Sequence, residues 1–455
     1  MEGFLLRALD EPGAAGRLVA VTVPAPVVAI DRILAARPGG PLMAFTDPGE
    51  GAWSFAGWGE AARVEGTGDK RLEQVRRAAD EVFASLEERS HPELEGVPAP
   101  RLFGGVAFRT ERARPAPWSA FADASFALPK VTYGVSGERA FLRLVLRAGD
   151  REARAAADQA VNAVARAAAL EAAPSSSIPG TRVDRTTAEA WAKMIAGALF
   201  AIRSGELAKV VPTTLSHVKA GAPIDAAAAL GRLAAGYPSS ARFAFQRGDA
   251  VFLGASPERL VERRGLTASA DALAGTARRS SDAGDDARIA AELLSSDKDR
   301  REHQAVVLAV RAGLEPFARS VDAPAAPSLR SLRNVHHLHT PVVATLVEER
   351  PAHVLDLVAA LHPTPAVCGT PREAALAWIA KHEEASRGWY AGAVGFFDAA
   401  GDGDFRVAIR SGLVVGAEAF LYAGAGIVEG SDAALEYAET RLKQAPMLAA
   451  LGLWT

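Results

Sequence analysis

The carboxy-terminal stretch Leu361–Thr455 constrains the fold and the chemistry of this chain more than any other. It contains an Arg-Gly-Trp-Tyr-Ala-Gly turn, a strand that ends near Arg410, a glycine turn at 424–426 and a helix that carries Glu436 and Glu439. An arginine, backbone amides left open by glycine and paired carboxylates can together hold an anionic substrate and a divalent cation. We therefore expect the rest of the chain to supply an acid, a base and further metal ligands.

Composition indicates a globular protein that acts on a small molecule. The chain has 455 residues, of which 49% are hydrophobic, so it can bury a large core. Its net charge of -3 provides no bulk attraction to nucleic acid or to anionic membranes. We expect a small-molecule substrate, with no nucleic-acid or membrane partner, and a monomer or weak dimer.

The single cysteine, Cys368, excludes an internal disulfide framework and is typical of a reducing compartment. The amino terminus lacks the pattern of a signal peptide, and there is no uninterrupted apolar run of about 18 residues. These features predict a cytoplasmic location.

The chain divides at one composition break, the segment EAAPSSSIPGTRVD. Residues 1–175 read as short strands and alanine-rich helices, a mixed scaffold without evident chemistry. Residues 176–455 read as the catalytic core. In this second region Thr186 and Glu189 predict a capping box, and the sequence predicts one long helix from about Asp286 to Leu314.

Two pairs of carboxylates lie at i, i+3 spacing on predicted helices: Asp299 with Glu302, and Glu436 with Glu439. This spacing points both members of a pair to one side. If the two helices face each other across a cleft, the carboxylates supply the oxygen ligands that Mg²⁺ prefers. Glu302 and Glu439 each also have a lysine four residues away, Lys298 and Lys443, so solvated faces with i, i+4 ion pairs explain the same spacing.

Lys209 and Glu258 are candidates for proton transfer. Lys209 lies in an apolar strand that Pro212 would bend or end, and burial would make it a usable base. An edge-strand lysine that reaches solvent is the alternative. Glu258 follows Pro257 after an apolar strand, where it is either a partly protonated acid or a surface glutamate.

The histidine-rich segment HHLH, with His336, His337 and His339, suggests a zinc site at first sight. No cysteine and no HExxH pattern accompanies it, so we do not predict zinc.

A series of sequence blocks resembles isochorismate synthases, a branch of the chorismate-utilising enzyme family. In chain order the blocks are KVV, FLGASPERLV, ALAGTARR, SSDKDRREHQAVV, VHHLHTPV, HPTPAVCGTPR, RGWYAGAVG, VAIRSGL, YAGAGIVEGSD and EYAET, over about residues 190–452. The resemblance implies an α/β (α+β) fold, a large and mostly antiparallel β-sheet core flanked by helices. It implies chorismate as substrate, isochorismate as product and Mg²⁺ as cofactor, in menaquinone or siderophore biosynthesis.

The resemblance also implies roles for single residues. Lys209 matches the general base that activates water, and Glu258 matches the general acid that protonates the leaving 4-hydroxyl. The metal ligands it implies are Glu302 and Glu439, supported by Asp299 and Glu436. The groups it implies for binding the substrate are Gly275, Thr276, Tyr390, Arg410 and Gly426.

Two positions favour water over ammonia as the nucleophile. Amine-transferring members of the family usually carry glutamine at the position of Lys209, and some carry lysine at the position of Ala274. The chain therefore resembles isochorismate synthases or salicylate synthases, which go on to eliminate pyruvate. The family usually has Leu-[Ala/Ser]-Arg where this chain has Pro212-Thr213-Thr214, and EPFDRGW where it has EEASRGW. These departures leave a catalytically silent, chorismate-binding relative as the third alternative.

Overall fold

The computed structural model describes residues 2–10, 17–170, 178–333 and 335–454. Within them the chain forms eleven α-helices, one short 3-10 turn at Glu315–Phe317 and 23 strands. The helices are α1 (Glu2–Asp10), α2 (Ile30–Ala36), α3 (Arg71–Ala84), α4 (Ala153–Ala169), α5 (Ala188–Arg203), α6 (Ala226–Gly236), α7 (Ala283–Ser295), α8 (Asp297–Leu314), α9 (Val354–Leu361), α10 (Arg372–His382) and α11 (Ala433–Ala450).

Almost all strands belong to one large sheet, and β9 and β18 form a separate two-stranded ribbon. The strands are β1 (Leu18–Pro24), β2 (Leu42–Thr46), β3 (Ser54–Gly66), β4 (Leu86–Ser90), β5 (Arg101–Val106), β6 (Ala124–Ser136), β7 (Arg139–Arg147), β8 (Ile178–Asp184), β9 (Lys209–Val210), β10 (Thr213–Ala220), β11 (Ala241–Arg247), β12 (Ala250–Ser256), β13 (Arg259–Arg264), β14 (Thr267–Arg278), β15 (Ala318–Asp322), β16 (Ser328–Ser331), β17 (Val335–Leu346), β18 (Gly369–Thr370), β19 (Ala393–Asp398), β20 (Gly403–Val407), β21 (Ser411–Val415), β22 (Glu418–Gly424) and β23 (Leu453–Trp454).

The large sheet forks at Pro129, in the middle of the long strand β6. Before this proline, residues 124–127 pair with β5, and after it residues 131–136 pair with β7. Proline has no N–H to donate, so a change of pairing partner at this point leaves no donor unsatisfied. The partner strand β3 follows β6 on both sides of the fork, with a bulge between Glu60 and Ala62.

Two branches of sheet extend from this fork. One runs through β3, β2, β11, β12, β21, β22, β10 and β8, and the other through β5, β19, β20, β13, β14 and β17. All these pairs are antiparallel, and only β1 with β4 and β8 with β23 are parallel among the described strands. The predicted fold, a mostly antiparallel sheet core flanked by helices, is confirmed.

Burial of apolar side chains holds the branches together. The larger core lies between them and includes aromatic rings from both, for example Phe252 and Phe405. A second core lies on the outer face of the first branch, under α2, α4 and α6. Each fully buried aliphatic or aromatic side chain contributes on the order of 1.5–3 kcal/mol to the stability of the fold. The packed core therefore holds the two branches in fixed positions around a site.

The predicted regions 1–175 and 176–455 share one sheet. Phe45 of β2 pairs with Phe243 of β11, and Phe103 of β5 pairs with Phe396 of β19, so strands of the first region are inserted between strands of the second. The boundary at 175 lies in residues 171–177, outside the described residues, and stays a prediction. No helix in the described residues is long and apolar enough to cross a membrane.

Two local predictions were wrong. The segment expected to be one helix from Asp286 to Leu314 is two helices, because Ser296 interrupts it and accepts the backbone N–H of Asp299 as the N-cap of α8. The cap of α5 is Thr187, which accepts from Ala190 N at 3.2 Å, and not Thr186. Thr186 instead accepts a hydrogen bond from Leu215 N, a contact between distant segments that no local pattern reveals.

Candidate active site

A cavity of about 240 Å³ lies between the two branches of the sheet and is covered by α8 and α11. Every described residue that lines it falls between Lys209 and Lys443. All eleven predicted site residues are among them: Lys209, Glu258, Gly275, Thr276, Asp299, Glu302, Tyr390, Arg410, Gly426, Glu436 and Glu439. The fold therefore brings together residues that are up to 230 positions apart in the sequence, the separation of Lys209 from Glu439.

Lys209 enters the cavity from the short strand β9. This strand pairs with β18, and Val210 exchanges two backbone hydrogen bonds with Ile427, of 3.1 and 2.7 Å. As predicted, Pro212 ends the strand. The buried Lys209 Nζ donates to Glu302 Oε1 at 2.6 Å. A side chain at Gly426 would place its Cβ 2.9 Å from Lys209 Cε, so the lysine would have to move from its present position.

A second ion pair fixes the segment that follows Lys209. Arg387 donates to Glu383 at 2.8 and 2.5 Å, and both side chains are almost fully buried. Arg387 also donates to the carbonyls of Val211 and Val367, at 2.6 and 3.0 Å. Glu383 Oε1 accepts the backbone N–H of Thr213 at 2.9 Å. One buried ion pair thus binds the backbone on both sides of Pro212, at Val211 and at Thr213.

Glu258 lies on the turn between β12 and β13, with only 3% of its surface exposed. Its backbone N–H donates to Ser256 Oγ at 3.2 Å, and its carbonyl accepts from Val407 N at 3.1 Å. Burial raises the pKa of Glu258 to about 8, and the nearby negative charge of Asp271 acts in the same direction. The carboxyl group is therefore protonated, and able to donate a proton, at neutral pH.

Gly275 and Thr276 form one wall of the cavity at a bulge in β14. Gly275 has a φ of +72°, a conformation that favours glycine, and the register shifts between Ala274 and Thr276. The Thr276 hydroxyl lies 3.0 Å from His337 Nδ1. Burial lowers the pKa of His337 to about 3, so this imidazole is neutral. Its Nε2 is buried and has no hydrogen-bond partner among the residues that the structure describes.

Tyr390 and Arg410 also line the cavity. The ring of Tyr390 stacks on Tyr422 with a centroid distance of 5.2 Å, and burial raises its pKa to about 12. Arg410 has a φ of +53°, in the left-handed region that side chains rarely adopt. Burial also lowers its pKa, since the charged guanidinium loses solvation. A phenol and a guanidinium in one cavity suit the carboxylate of an anionic ligand.

The four carboxylates Asp299, Glu302, Glu436 and Glu439 line the cavity from two helices, which is one of the two arrangements that their spacing allows. In the described residues no three histidine, cysteine or acidic side chains are close enough to form a metal site. Glu302 instead pairs with Lys209, and Glu439 Oε1 accepts from Lys443 Nζ at 2.5 Å. The i, i+4 ion pair that the sequence offered as an alternative therefore forms at Glu439.

The charge distribution around these carboxylates still suits a cation. Burial and the neighbouring Glu439 both raise the pKa of Glu436, so the second negative charge at this place is disfavoured. A divalent cation would relieve this repulsion and would accept carboxylate oxygens from both helices. The hard oxygen donors on these two helices therefore fit Mg²⁺.

Residues 8–452 match the family model of the chorismate binding enzyme. The chain belongs to the chorismate-binding enzyme family. The match covers almost the whole chain, including both branches of the sheet and every residue that lines the cavity.

Relatives of this chorismate-binding enzyme include several isochorismate synthases. The salicylate biosynthesis isochorismate synthase of Pseudomonas aeruginosa is 39% identical over 402 residues, which cover 88% of this chain and 83% of that protein. The isochorismate synthase MenF of Bacillus subtilis is 36% identical, over 78% of this chain and 75% of that protein.

Solved structures show the same architecture. The menaquinone-specific isochorismate synthase MenF from Escherichia coli matches with a TM-score of 0.83 and 28% identity, over 99% of this chain and 98% of that one. Anthranilate synthase component I from Streptococcus pneumoniae matches with a TM-score of 0.70 at 22% identity, over 88% of this chain and 93% of that one. The latter likeness shows a shared fold only.

Several residues of the site in this chorismate-binding enzyme were not predicted from the sequence. Lys443 was considered only as a surface partner of Glu439, yet it lines the cavity and also donates to the Gly424 carbonyl at 2.9 Å. His337 was considered only as a zinc ligand. The pair of Arg387 and Glu383 lies four residues apart, a spacing that signals an ion pair but not its buried position under the ribbon.

Proposed function

We propose that this chorismate-binding enzyme is an isochorismate synthase. It would add water to C2 of chorismate, shift the ring double bonds and release the 4-hydroxyl as water, so that the product is an isomer of the substrate. The observation that carries the proposal is the presence of a lysine amine and a protonated carboxyl, Lys209 and Glu258, on the wall of one cavity. Relatives named as isochorismate synthases support it.

In this proposal Lys209 is the general base. Its neutral amine removes a proton from the attacking water, which requires the 2.6 Å ion pair with Glu302 to open and the ammonium to release its own proton to solvent first. The β9 and β18 ribbon and the close approach of Gly426 restrict where the amine can move. A fixed base of this kind contributes about 10²–10⁴-fold to a rate.

Glu258 is the general acid in the proposed reaction. Its proton passes to the 4-hydroxyl as the bond from C4 to oxygen breaks, because hydroxide is a poor leaving group. With a pKa of about 8, the carboxyl holds that proton at neutral pH and releases it readily when negative charge develops on the oxygen.

We also propose that Mg²⁺ is the cofactor. Glu302 and Glu439, supported by Asp299 and Glu436, would hold the ion. When bound, it supplies positive charge that anchors a substrate carboxylate and stabilises charge that develops on it. Arg410 and Tyr390 would bind the enolpyruvyl carboxylate, while Gly275, Thr276 and Gly426 would contact the substrate through backbone or hydroxyl groups.

The test is to incubate the purified protein with chorismate and Mg²⁺ and to separate the products by chromatography, beside a sample treated with EDTA. We expect isochorismate in a reversible equilibrium with chorismate and no turnover in EDTA. Salicylate with pyruvate would instead assign the protein to the salicylate synthases. Bound chorismate without any product would identify a catalytically silent relative and overturn the proposal.

A further inference from the structure

The turn that carries Glu258 is tied to a single carboxylate, that of Asp271 on β14. The backbone N–H of Arg259, the residue after Glu258, donates to Asp271 Oδ2 at 3.4 Å. Arg330 donates to the same oxygen at 2.8 Å and to the carbonyl of Pro257, the residue before Glu258, at 3.0 Å. Both neighbours of Glu258 are thus connected to Asp271.

Asp271 is itself held as an anion. His339 Nε2 lies 2.8 Å from Asp271 Oδ1, on the side of the carboxylate away from Arg330. Burial alone would raise the pKa of Asp271, but the hydrogen bond from His339 and the charge of Arg330 hold it well below its usual range. A fixed negative charge therefore lies beside the turn at every physiological pH.

Charged groups from four strands determine the proton affinity of Glu258. Asp271 on β14 raises its pKa, whereas Lys209 on β9 and Arg330 on β16 lower it. His339 on β17 acts indirectly, because it fixes the position of the Asp271 carboxylate. Asp271 and Arg330 both hold the turn, but Asp271 raises the pKa of Glu258 and Arg330 lowers it.

We propose that Asp271 is a positioning residue that orients Glu258 and, through its fixed charge, keeps the Glu258 carboxyl protonated between turnovers. This inference rests on the proposed role of Glu258 as the acid of the reaction. In this proposal His339, the last histidine of the HHLH segment, holds the Asp271 carboxylate in position through its hydrogen bond.

The first test follows the titration of Glu258 directly in the free enzyme. Protein labelled with ¹³C at glutamate carboxyls is titrated by NMR, and the Glu258 signal is assigned by its loss in Glu258→Gln. In Asp271→Asn the midpoint should fall by about one pH unit, because a neighbouring like charge has been removed. It should stay above the usual glutamate value, because the site is still buried. An unchanged midpoint would overturn the proposal.

The chain offers a matched control and an opposing variant. Asp286 is the control, because it also has one histidine and one arginine as partners, His336 Nε2 at 3.0 Å and Arg279 Nη2 at 2.6 Å. Asp286 is not among the groups that act on Glu258, so Asp286→Asn should leave the midpoint of Glu258 unchanged. Arg330→Gln removes a positive charge and should raise the midpoint. If it lowers the midpoint or leaves it unchanged, the proposal fails, even where Asp271→Asn does not fold.

Kinetics then separate this inference from the proposed function. The activity of Asp271→Asn should decline at a lower pH than that of the wild type, through kcat more than KM, since the acid loses its proton earlier. A variant that is weaker by the same factor at every pH would mean a merely structural role. A wild-type protein that forms no isochorismate would overturn the proposed function, whereas a shifted midpoint would still support the coupling of Asp271 to Glu258.

Discussion

Two ion pairs support the β9 ribbon, Arg387 with Glu383 and Lys209 with Glu302. They differ in how many hydrogen bonds they make and in how exposed they are. Arg387 and Glu383 are joined by two hydrogen bonds, and three backbone groups complete their contacts. Lys209 and Glu302 share one hydrogen bond of 2.6 Å, and a quarter of the Glu302 side chain is exposed. Every polar side-chain atom of the first pair has a hydrogen-bond partner in the described residues, so this pair is structural, while the more exposed second pair can open and exchange partners.

Loss of Arg387 should have the largest effect on the folded state. Arg387→Met would leave the charge of Glu383 buried without its partner, at a cost of about 3–5 kcal/mol in the free energy of unfolding. Urea denaturation would measure this loss. The double variant with Glu383→Gln should recover part of it, and a single variant as stable as the wild type would remove the distinction between the two pairs.

Loss of Lys209 should affect turnover instead. Lys209→Ala should lower kcat about 10²-fold or more, because the base is gone, while the free energy of unfolding changes little. Steady-state kinetics with chorismate would show this, with Lys219→Ala as the control, since 65% of that lysine side chain is exposed. Wild-type turnover in Lys209→Ala would exclude it as the base.

Glu258 should make the folded protein less stable as the pH rises. Its folded pKa of about 8 is above the ordinary value of 4.5, so the folded state retains a proton that the unfolded chain releases. Between pH 5 and pH 7 the wild type should therefore lose about 2.5 kcal/mol relative to Glu258→Gln. Urea denaturation of both proteins at the two pH values would measure it, and parallel pH dependence would contradict the raised pKa.

Substitution of a single cavity carboxylate should have the smallest effect, a loss of affinity for Mg²⁺. Glu439→Gln should raise the Mg²⁺ concentration for half-maximal activity about tenfold, since one charged oxygen ligand is lost. Glu429→Gln is the control, because Glu429 is exposed on the turn before α11. Equal Mg²⁺ requirements in the two variants would exclude Glu439 as a ligand.

Much of the architecture was predictable because it depends on local patterns. The apolar runs ARFAFQ and AVFLGAS in the sequence indicate strands where β11 and β12 form, and the helical spacing of Val75 and Ala79 indicates a helix where α3 forms. The break at Ser296 was not predicted, because the helical pattern continues through it and a single serine side chain changes the local preference. The resemblance to a family, and not periodicity, assigned site roles to the eleven predicted residues that are among those lining the cavity.

The parts of the site that were not predicted depend on long-range contacts. Lys209 and Glu302 are 93 positions apart, and Asp271 lies 68 positions from His339. No spacing rule relates such residues, since the fold alone brings them into contact. The position of Arg387 under the β9 ribbon is of the same kind, and it explains how the Pro-Thr-Thr segment packs without the usual arginine.

The backbone at Arg410 has a consequence for protein engineering. A non-glycine residue in the left-handed region costs about 1 kcal/mol or more, and this guanidinium also loses solvation through burial. Directed evolution for heat resistance alone would therefore favour Arg410→Gly, which relieves both costs. Such a library would accumulate stable variants that have lost a proposed substrate contact, so a screen on this enzyme must select for turnover and stability in the same round.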